Sequence, residues 1–432
     1  MDTRLRGYDE EKTGMTNNKL LCLGIESSCD ETAAAIVRGN GDVVAHTIYS
    51  QVPEHQKWGG VVPELAARAH ILAIDQVVKK TLADANMTID NIDVIAATAG
   101  PGLIGGVIVG WEFATGLAHA AKKPLIAVNH LEGHALVARL PSRDSRIAPL
   151  PSSFPRRRES IACKPVISSR KELGSTAVDS RLRGNDGSGI SATNRESRIA
   201  NPSFPYLLLL ASGGHSEILI ARGVGDYELL GRTLDDSAGE AFDKVAKMLD
   251  LGYPGGPAVE KAALTGDPSK FRFPRPLCNQ KNSDFSFSGL KTAARTFAAK
   301  TPNINKNDLC AGFQAAVVDV ITNRLGNAIK MRPDVKTLVA AGGVAANKAI
   351  RDALLTLAHE HEMEFVAPPM NLCTDNGIMI AWAGIENYNM GNIATESVAP
   401  RPRWPLTAKV PLPCGGGVEQ GEAGAGVADA DC

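Results

Sequence analysis

The chain contains one strand–turn–strand pattern twice, and this repetition limits the folds that it can adopt. In the first copy, apolar runs at 20–25 and 33–37 flank a polar turn, and in the second, runs at 206–211 and 217–221 flank a turn rich in Gly and Ser. Short apolar runs bounded by turn residues predict buried strands joined as β-hairpins. Apolar residues at helical spacing follow the first hairpin, from Pro63 to Leu82. We therefore predict an α/β architecture with largely parallel sheets.

An uncharged stretch from Val94 to Trp111 has the minimum length of a membrane-spanning helix. Pro101 and five glycines interrupt it, and these residues are strong signals for turns. We predict instead a buried strand at 92–99, a Gly-Pro-Gly turn and a small-residue helix packed behind the strand. The sequence therefore predicts no association with membranes.

The chain of 432 residues is long enough for two or three domains, and its formal net charge of −1 gives no sign of affinity for nucleic acid. Residues 142–204 differ from the rest, with 12 Lys and Arg, 6 Asp and Glu, and few periodic apolar residues. Similar sequences flank this segment, at 145–155 and 197–205. We interpret it as a basic, low-complexity, disordered insertion. An acquired RNA-binding arm is the alternative.

Both chain ends are predicted to be disordered. The extension 1–18 shares a repeat with the insertion, because 2–9 and 179–186 match at six of eight positions, and a start at Met15 would remove that repeat. The tail 409–432 is rich in Gly, Ala and acidic residues. Eight cysteines without a C-x-x-C pair, and an amino terminus without an apolar segment, fit a reducing compartment. We therefore predict a cytoplasmic protein.

Three residues form a candidate metal site. His130 and His134 are four residues apart, so on a helix they share one face and can chelate one cation. Asp375, in a polar turn before the apolar helix 378–384, can supply a third ligand and leave coordination positions open. The alternatives are packed histidines and a Thr374 or Asp375 that only caps the helix. The H-E-x-x-H order is absent, which disfavours a zincin-type peptidase.

Glycine-rich turns are candidate phosphate-binding sites, because their backbone N–H groups can approach a phosphate. One is 212–216, and another is 342–347, between the predicted strand 337–341 and a predicted helix at 344–351. A third turn, 253–257, is interpreted first as a rigid turn and second as a nucleotide contact. Each turn alone is weak evidence, because tight turns need glycine with or without a ligand.

Four carboxylates lie between Asp235 and Lys244, and two of them, Glu240 and Asp243, share a helical face. One interpretation is a solvated, capped start of a helix. The other is a carboxylate that binds a ligand hydroxyl, with Lys244 beside the same ligand.

Seven motifs in this order resemble the bacterial TsaD family, the tRNA N6-adenosine threonylcarbamoyltransferases once called glycoproteases. The resemblance covers roughly residues 20–141 and 205–406. The motifs are Gly24–Thr32, Gly59–Ala66, His130–His134, Ser212–His215, Asp236–Lys244, Gly342–Asn347 and Cys373–Gly377. The main departure from the family is the insertion 142–204, whose closure as a longer loop costs little entropy.

The resemblance implies an actin-like ATPase (ASKHA) fold, in which two lobes with related mixed sheets, here 19–141 and 205–408, surround a nucleotide cleft. It implies that His130, His134 and Asp375 bind one metal ion per subunit, usually Fe2+ in bacterial members, with Zn2+ as the alternative. The implied nucleotide- and substrate-binding residues are Leu210, Ala211, Ser212, Gly213, Gly214, Asp243, Gly256 and Asn347.

The implied reaction moves a threonylcarbamoyl group from threonylcarbamoyl-AMP to N6 of the adenosine next to the anticodon of ANN-decoding tRNAs, and releases AMP. Glu26 and Asp30 are the candidates for the catalytic base. The implied partners are tRNA, threonylcarbamoyl-AMP, a TsaB-like subunit and a TsaE-like ATPase. A metal-dependent peptidase, a small-molecule kinase of the same superfamily and a non-catalytic scaffold are the alternatives.

Overall fold

The computed structural model describes residues 18–141, 201–301, 303–394 and 398–408. Apart from residue 18 and residues 201–204, the predicted extension, insertion and tail lie outside the described residues. The described chain forms two five-stranded sheets.

The first sheet has the strand order β3-β2-β1-β4-β5. Strands β1 to β3 are antiparallel, and β4 and β5 run parallel to β1. The predicted hairpin is therefore confirmed as β1 and β2, whose pairing extends from Leu21 opposite Arg38 to Glu26 opposite Ala33. The strands are β1 (Leu21–Glu26), β2 (Glu31–Arg38), β3 (Val43–Ser50), β4 (Val94–Gly100) and β5 (Leu125–Asn129).

The second sheet repeats this topology, with the order β10-β9-β6-β7-β8. Strands β6 to β8 are antiparallel, and β9 and β10 run parallel to β6. The expectation of largely parallel sheets is therefore wrong, because half of the strand pairings in each sheet are antiparallel hairpins. The strands are β6 (Tyr206–Ala211), β7 (Ser216–Gly223), β8 (Asp226–Arg232), β9 (Thr337–Ala341) and β10 (Glu364–Val366).

The described part of the chain contains ten α-helices. They are α1 (Val52–His55), α2 (Pro63–Asp84), α3 (Ile104–Ala121), α4 (His130–Val137), α5 (Ala238–Met248), α6 (Gly255–Ala263), α7 (Ser288–Lys300), α8 (Lys306–Met331), α9 (Lys348–Glu360) and α10 (Gly377–Asn389). The uncharged stretch 94–111 is divided between β4 and α3, as predicted. Within the described ranges, every helix is too short or too polar to span a bilayer.

The predicted helix at 344–351 begins later in the structure. Residues 343–346 form a single 3-10 turn, and α9 starts only at Lys348. The reason is the side chain of Asn347, which accepts a hydrogen bond from the Ile350 N–H at 3.1 Å and caps the helix.

The helices α4 and α10 lie between the two sheets. Leu136 and Val137 of α4 pack in a core with first-sheet residues, and Leu131 and Ala135 pack in a core with second-sheet residues. Helix α10 packs against β1, β2 and β4 of the first sheet, although it comes from the segment 205–408. The predicted domain boundaries themselves stay a prediction. This arrangement brings distant parts of the sequence together between the sheets.

Candidate functional site

Helix α4 carries two histidines into the space between the sheets. Asn129 caps this helix, because its side-chain oxygen accepts a hydrogen bond from the Leu131 N–H at 2.9 Å. Every residue from His130 to Val137 is buried. The imidazole rings of His130 and His134 lie edge to face, with their centroids 4.8 Å apart. The predicted helical spacing therefore does place both rings on one side of the helix.

Asp375 meets these histidines from the loop that precedes α10. Its Oδ1 atom lies 3.0 Å from Nε2 of His134 and 3.6 Å from Nε2 of His130. The helix is capped by Asn376, whose side chain accepts a hydrogen bond from the Met379 N–H at 2.9 Å. The alternative that Thr374 or Asp375 caps α10 is therefore wrong, and the Asp375 carboxylate is directed to the histidines.

The ring of His130 is oriented from behind by Glu26. Nδ1 of His130 lies 3.0 Å from Oε2 of Glu26 and 3.0 Å from Oγ of Ser28. Glu26 is fully buried and also accepts hydrogen bonds from the Ser28 N–H at 2.6 Å and the Thr98 hydroxyl at 2.6 Å. A carboxylate beside Nδ1 keeps the imidazole proton on Nδ1 and leaves the lone pair of Nε2 directed toward Asp375.

The three side chains fit a metal ion. One ligand atom from each of His130, His134 and Asp375 lies within 4.8 Å of the other two. Two imidazoles and one carboxylate form a donor set typical of non-haem Fe2+, and Zn2+ accepts the same ligands. Nδ1 of His134 is buried and has no hydrogen-bond partner among the described residues. These observations support metal binding through the two Nε2 atoms and the Asp375 carboxylate.

Without a metal ion, the positive charge of His130 stabilises the fold. Burial lowers the pKa of His130, but the Asp375 and Glu26 carboxylates outweigh burial and raise this pKa to about 9. Because the pKa is higher in the folded state than in the unfolded state, protonated His130 stabilises the fold. This stabilisation is complete below the unfolded-state pKa of about 6.5 and is lost as the pH rises toward 9. We expect the urea midpoint of chelator-treated protein to fall across this interval.

The control for this pH prediction is His130→Gln, which has no imidazole to titrate. The midpoint difference between wild type and His130→Gln isolates this residue from the other titrating groups. A difference that stays constant from pH 6.5 to 9 would contradict the assignment.

Glycine-rich turns of the second sheet lie side by side. Leu210 and Ala211 end the buried strand β6, and the turn Ser212–Gly214 follows. A Cβ atom on Gly342 would lie 2.4 Å from the Ala211 carbonyl oxygen, so only glycine allows the turn at 342–347 to come this close. Gly213 and Gly214 are exposed and have open space beside them. The two turns thus share one edge of the sheet.

Helix α5 connects this edge with the third turn. The N-cap residue Ser237 donates a hydrogen bond from its hydroxyl to the Gly213 carbonyl at 2.5 Å. Six residues further along, the Asp243 carboxylate accepts a hydrogen bond from the Gly255 N–H at 2.8 Å, and burial raises the pKa of Asp243. Gly256 lies in the first turn of α6, with open space at its Cα.

The two interpretations of the acidic segment 235–244 apply to different residues. Lys244 forms ion pairs of 2.8 Å with both Asp236 and Glu240, as a capped and solvated helix start requires. Asp243 instead faces the turn at 255–256.

The predicted nucleotide-binding residue Asn347 is buried and donates a hydrogen bond from its amide to Gln314 at 2.9 Å. Together, the predicted nucleotide-binding residues form three neighbouring turns around α5.

Asp30 lies where the two halves of the molecule meet. Its Oδ2 atom accepts a hydrogen bond of 3.2 Å from the Tyr253 hydroxyl, which belongs to the third turn. Nearby, Nζ of Lys247 donates to the Trp58 carbonyl at 3.3 Å. Glu26 lies behind the metal site, and Asp30 lies toward the glycine-rich turns. The two candidate bases therefore occupy different environments.

Sequence reasoning assigned no role to His215, although it quoted this residue in the Ser212–His215 motif. The His215 backbone N–H donates to Oγ of Ser212 at 3.2 Å. Burial and the neighbouring His130 and His134 lower the pKa of His215 to about 4. His215 is therefore a neutral side chain near the candidate metal ligands His130 and His134. Its position directly after two turn glycines was the available signal.

Comparisons with known proteins show which family the chain resembles over most of its length. The family model described as TsaD, tRNA N6-adenosine threonylcarbamoyltransferase, matches residues 42–154 and 189–382. A protein of that name from Brucella anthropi is 48% identical over 400 residues, which is 90% of this chain and 95% of the relative. Another, from Sphingopyxis alaskensis, is 48% identical over 92% of this chain and 99% of the relative.

Among solved structures, T. kodakarensis HypF is similar to the fold, with a TM-score of 0.50 and 13% sequence identity. The match covers 88% of this chain and 48% of that chain. HypF has the actin-like ATPase fold, and the repeated sheet topology agrees with it. The predicted fold class is confirmed.

Proposed function

Because the chain belongs to the TsaD family, we propose that it is a tRNA N6-adenosine threonylcarbamoyltransferase. The proposed reaction moves the threonylcarbamoyl group of threonylcarbamoyl-AMP to N6 of the adenosine next to the anticodon of ANN-decoding tRNAs, with release of AMP. The observation that carries this proposal is the His130–His134–Asp375 cluster beside the Ser212–His215 turn. This arrangement combines a candidate metal site with a glycine-rich turn that has open space beside Gly213 and Gly214.

His130, His134 and Asp375 would hold the metal ion, which we propose is Fe2+, one per subunit. When bound there, the ion supplies Lewis-acid chemistry to the carbamoyl carbonyl. Glu26 keeps the proton of His130 on Nδ1, so the ring is already oriented for the metal. A neutral His215 beside the cluster adds no competing positive charge.

The glycine-rich turns would bind the adenylate. Backbone N–H groups around 212–214 and 342–347 can hold its phosphate, which is the leaving group, and stabilise the charge that it gains. Asp243 and Gly256 suit the nucleoside, because a half-buried carboxylate beside an open turn can accept hydrogen bonds from ribose hydroxyls. The complete proposed set is Leu210, Ala211, Ser212, Gly213, Gly214, Asp243, Gly256 and Asn347.

We propose different roles for the two candidate bases. Glu26 already accepts hydrogen bonds from Ser28 and Thr98 and contacts His130, so it suits the orientation of the metal ligand. Asp30 contacts the Tyr253 hydroxyl at the edge of the glycine-rich turns. Asp30 is therefore the better-placed group to accept the proton from the adenosine amine.

Glu26→Gln and Asp30→Asn are expected to have different effects. Glu26→Gln should weaken metal binding by about 10- to 100-fold, because the orienting carboxylate is lost. Asp30→Asn should lower the transfer rate by about 100-fold or more and leave metal binding unchanged. Metal titration and single-turnover transfer separate the two effects, and Glu112→Gln, on an exposed helix position, is the control. If both variants kept the full transfer rate, neither residue would be the base.

The proposed partners are tRNA, a TsaB-like subunit and a TsaE-like ATPase, with a separate enzyme that makes the adenylate. We also propose a cytoplasmic location, where tRNA and ATP are available. The alternatives of a peptidase or a small-molecule kinase are not favoured, because the family model and the curated relatives carry the name of a tRNA transferase.

The test is threonylcarbamoylation of an ANN-decoding tRNA by the purified full chain, with the synthetase and partner subunits present. Modified nucleoside should appear by mass spectrometry, with one AMP released per transfer. Peptide cleavage independent of tRNA would support the peptidase. Phosphorylation of a small molecule without a metal-site requirement would support the kinase.

A further inference from the structure

The side chain of Arg351 joins two segments that are distant in sequence. Arg351 lies in the first turn of α9 and is half-buried. Its Nε donates a hydrogen bond to the Ala345 carbonyl at 2.7 Å, within the glycine-rich turn 342–347. One terminal nitrogen donates to the Pro368 carbonyl at 2.6 Å and to Sγ of Cys373 at 3.1 Å. The guanidinium therefore bridges the turn and the loop before α10.

The loop held by Arg351 carries the metal ligand Asp375. Cys373 precedes Asp375 by two residues and is fully buried, with Sγ 3.7 Å from the Pro368 carbonyl and 3.6 Å from the Pro369 carbonyl. The position of Cys373 is therefore fixed from one side by the guanidinium and from the other by the loop backbone. A shift of the guanidinium would change the path of the chain into Asp375.

We propose that Arg351 is a positioning residue that couples the adenylate-binding turn 342–347 to the metal-binding loop 373–375. The proposal rests on the proposed function of these two sites. A nucleotide at the turn fixes Ala345, Ala345 fixes the guanidinium, and the guanidinium fixes the loop of Asp375. Since coupling between two sites is reciprocal, a bound metal ion must strengthen nucleotide binding by the same factor.

The planar guanidinium is needed for this role. Its nitrogens donate in fixed directions, so one side chain can hold acceptors in two segments at a set separation. A lysine has the same charge but concentrates its donors on a single nitrogen. Arg351→Lys thus tests geometry separately from charge.

The experiment measures the affinity of the full chain for Co2+, from its visible absorption spectrum, with and without saturating AMP. In wild type, AMP should raise the Co2+ affinity by about tenfold, and Co2+ should raise the AMP affinity equally. In Arg351→Met and Arg351→Lys, this factor should fall to about one. In Cys373→Ala, which removes one contact of the bridge, the factor should fall while the affinity for AMP alone stays unchanged.

Asp352→Asn is the matched control. Asp352 is the next residue of α9, but it is exposed and pairs with Lys348 at 2.7 Å, so the coupling should stay at the wild-type value. If Arg351→Met fails to fold, Arg351→Lys and Cys373→Ala decide the question. An unchanged factor in these variants would overturn the proposal, because a direct attraction between the AMP phosphate and the metal would then explain the coupling.

Transfer activity of wild type separates this inference from the proposed function. A wild-type protein that modifies tRNA but shows no coupling would refute the role of Arg351 alone. A wild-type protein that couples AMP with Co2+, loses this coupling in Arg351→Lys and does not modify tRNA would refute the proposed reaction and support the bridge.

Discussion

Replacing His134 with alanine is expected to remove the bound metal ion and to lower threonylcarbamoyl transfer by about a thousandfold or more. His134 is buried, and its Nε2 atom lies 3.0 Å from Asp375. Without this imidazole, only His130 and Asp375 remain as ligands, which is too few for a stable site. Elemental analysis of the purified variant and single-turnover transfer to tRNA measure the two losses.

His119→Ala is the control for this variant, because His119 is an exposed histidine in the last turn of α3. It should keep both the metal and the activity. Asp375→Asn should reproduce the loss in His134→Ala, since an amide oxygen is a weaker ligand than a carboxylate. Full transfer activity in His134→Ala would refute the metal site, and activity without bound metal would refute the chemistry proposed for it.

Much of this site was predictable from the sequence. Two histidines four residues apart must share a face if their segment is helical, and α4 is helical from its first histidine. Asp375 was a candidate third ligand from its residue type and its place in a turn, and the family resemblance favoured that role over a helix cap. The sequence did not show whether the Asp375 carboxylate is free to bind a metal or is occupied in capping α10, because both Asp375 and Asn376 are good capping residues. Only the structure identifies Asn376 as the cap.

The partners of His130 illustrate what a sequence does not contain. Glu26 and Thr98 lie on neighbouring strands, β1 and β4, which pair in parallel at the centre of the sheet. The Thr98 hydroxyl therefore reaches the Glu26 carboxylate, which in turn contacts His130. The sequence made Glu26, together with Asp30, only a candidate for the catalytic base. Its three contacts, which indicate an orienting role, depend on strand order and therefore could not be read from spacing.

The fold shows the same division between local and non-local information. Each hairpin and the strand–turn–helix at 94–121 were predicted from local patterns and are confirmed. The path of α10 was not predictable in this way. This helix is apolar on nearly all sides, which indicates burial but not a particular neighbour. In the structure it packs on the first sheet, and this places Asp375 opposite α4.

Gly24→Ala is expected to lower the free energy of unfolding by about 3 kcal/mol or more and to weaken metal binding at the same time. Gly24 is in the centre of β1, where α10 crosses the strand. A Cβ atom there would lie 2.3 Å from the Ala381 nitrogen and 2.5 Å from the Gly377 carbonyl oxygen. Both are backbone atoms, so no side chain can rotate away, and the helix itself must move. Urea unfolding and metal titration measure the two effects.

Gly116→Ala is the matched control for this close contact. Gly116 is exposed in α3, and a Cβ atom there would meet no other atom within 4 Å. The higher helix propensity of alanine should therefore stabilise the protein by about 0.5–1 kcal/mol, the opposite sign to Gly24→Ala.

The loss of metal affinity in Gly24→Ala is expected because Gly377 follows Asp375 by two residues, so a displaced α10 carries the Asp375 carboxylate away from His134. Destabilisation of Gly24→Ala without loss of metal affinity would show that the loop before α10 is positioned independently of this helix–strand contact.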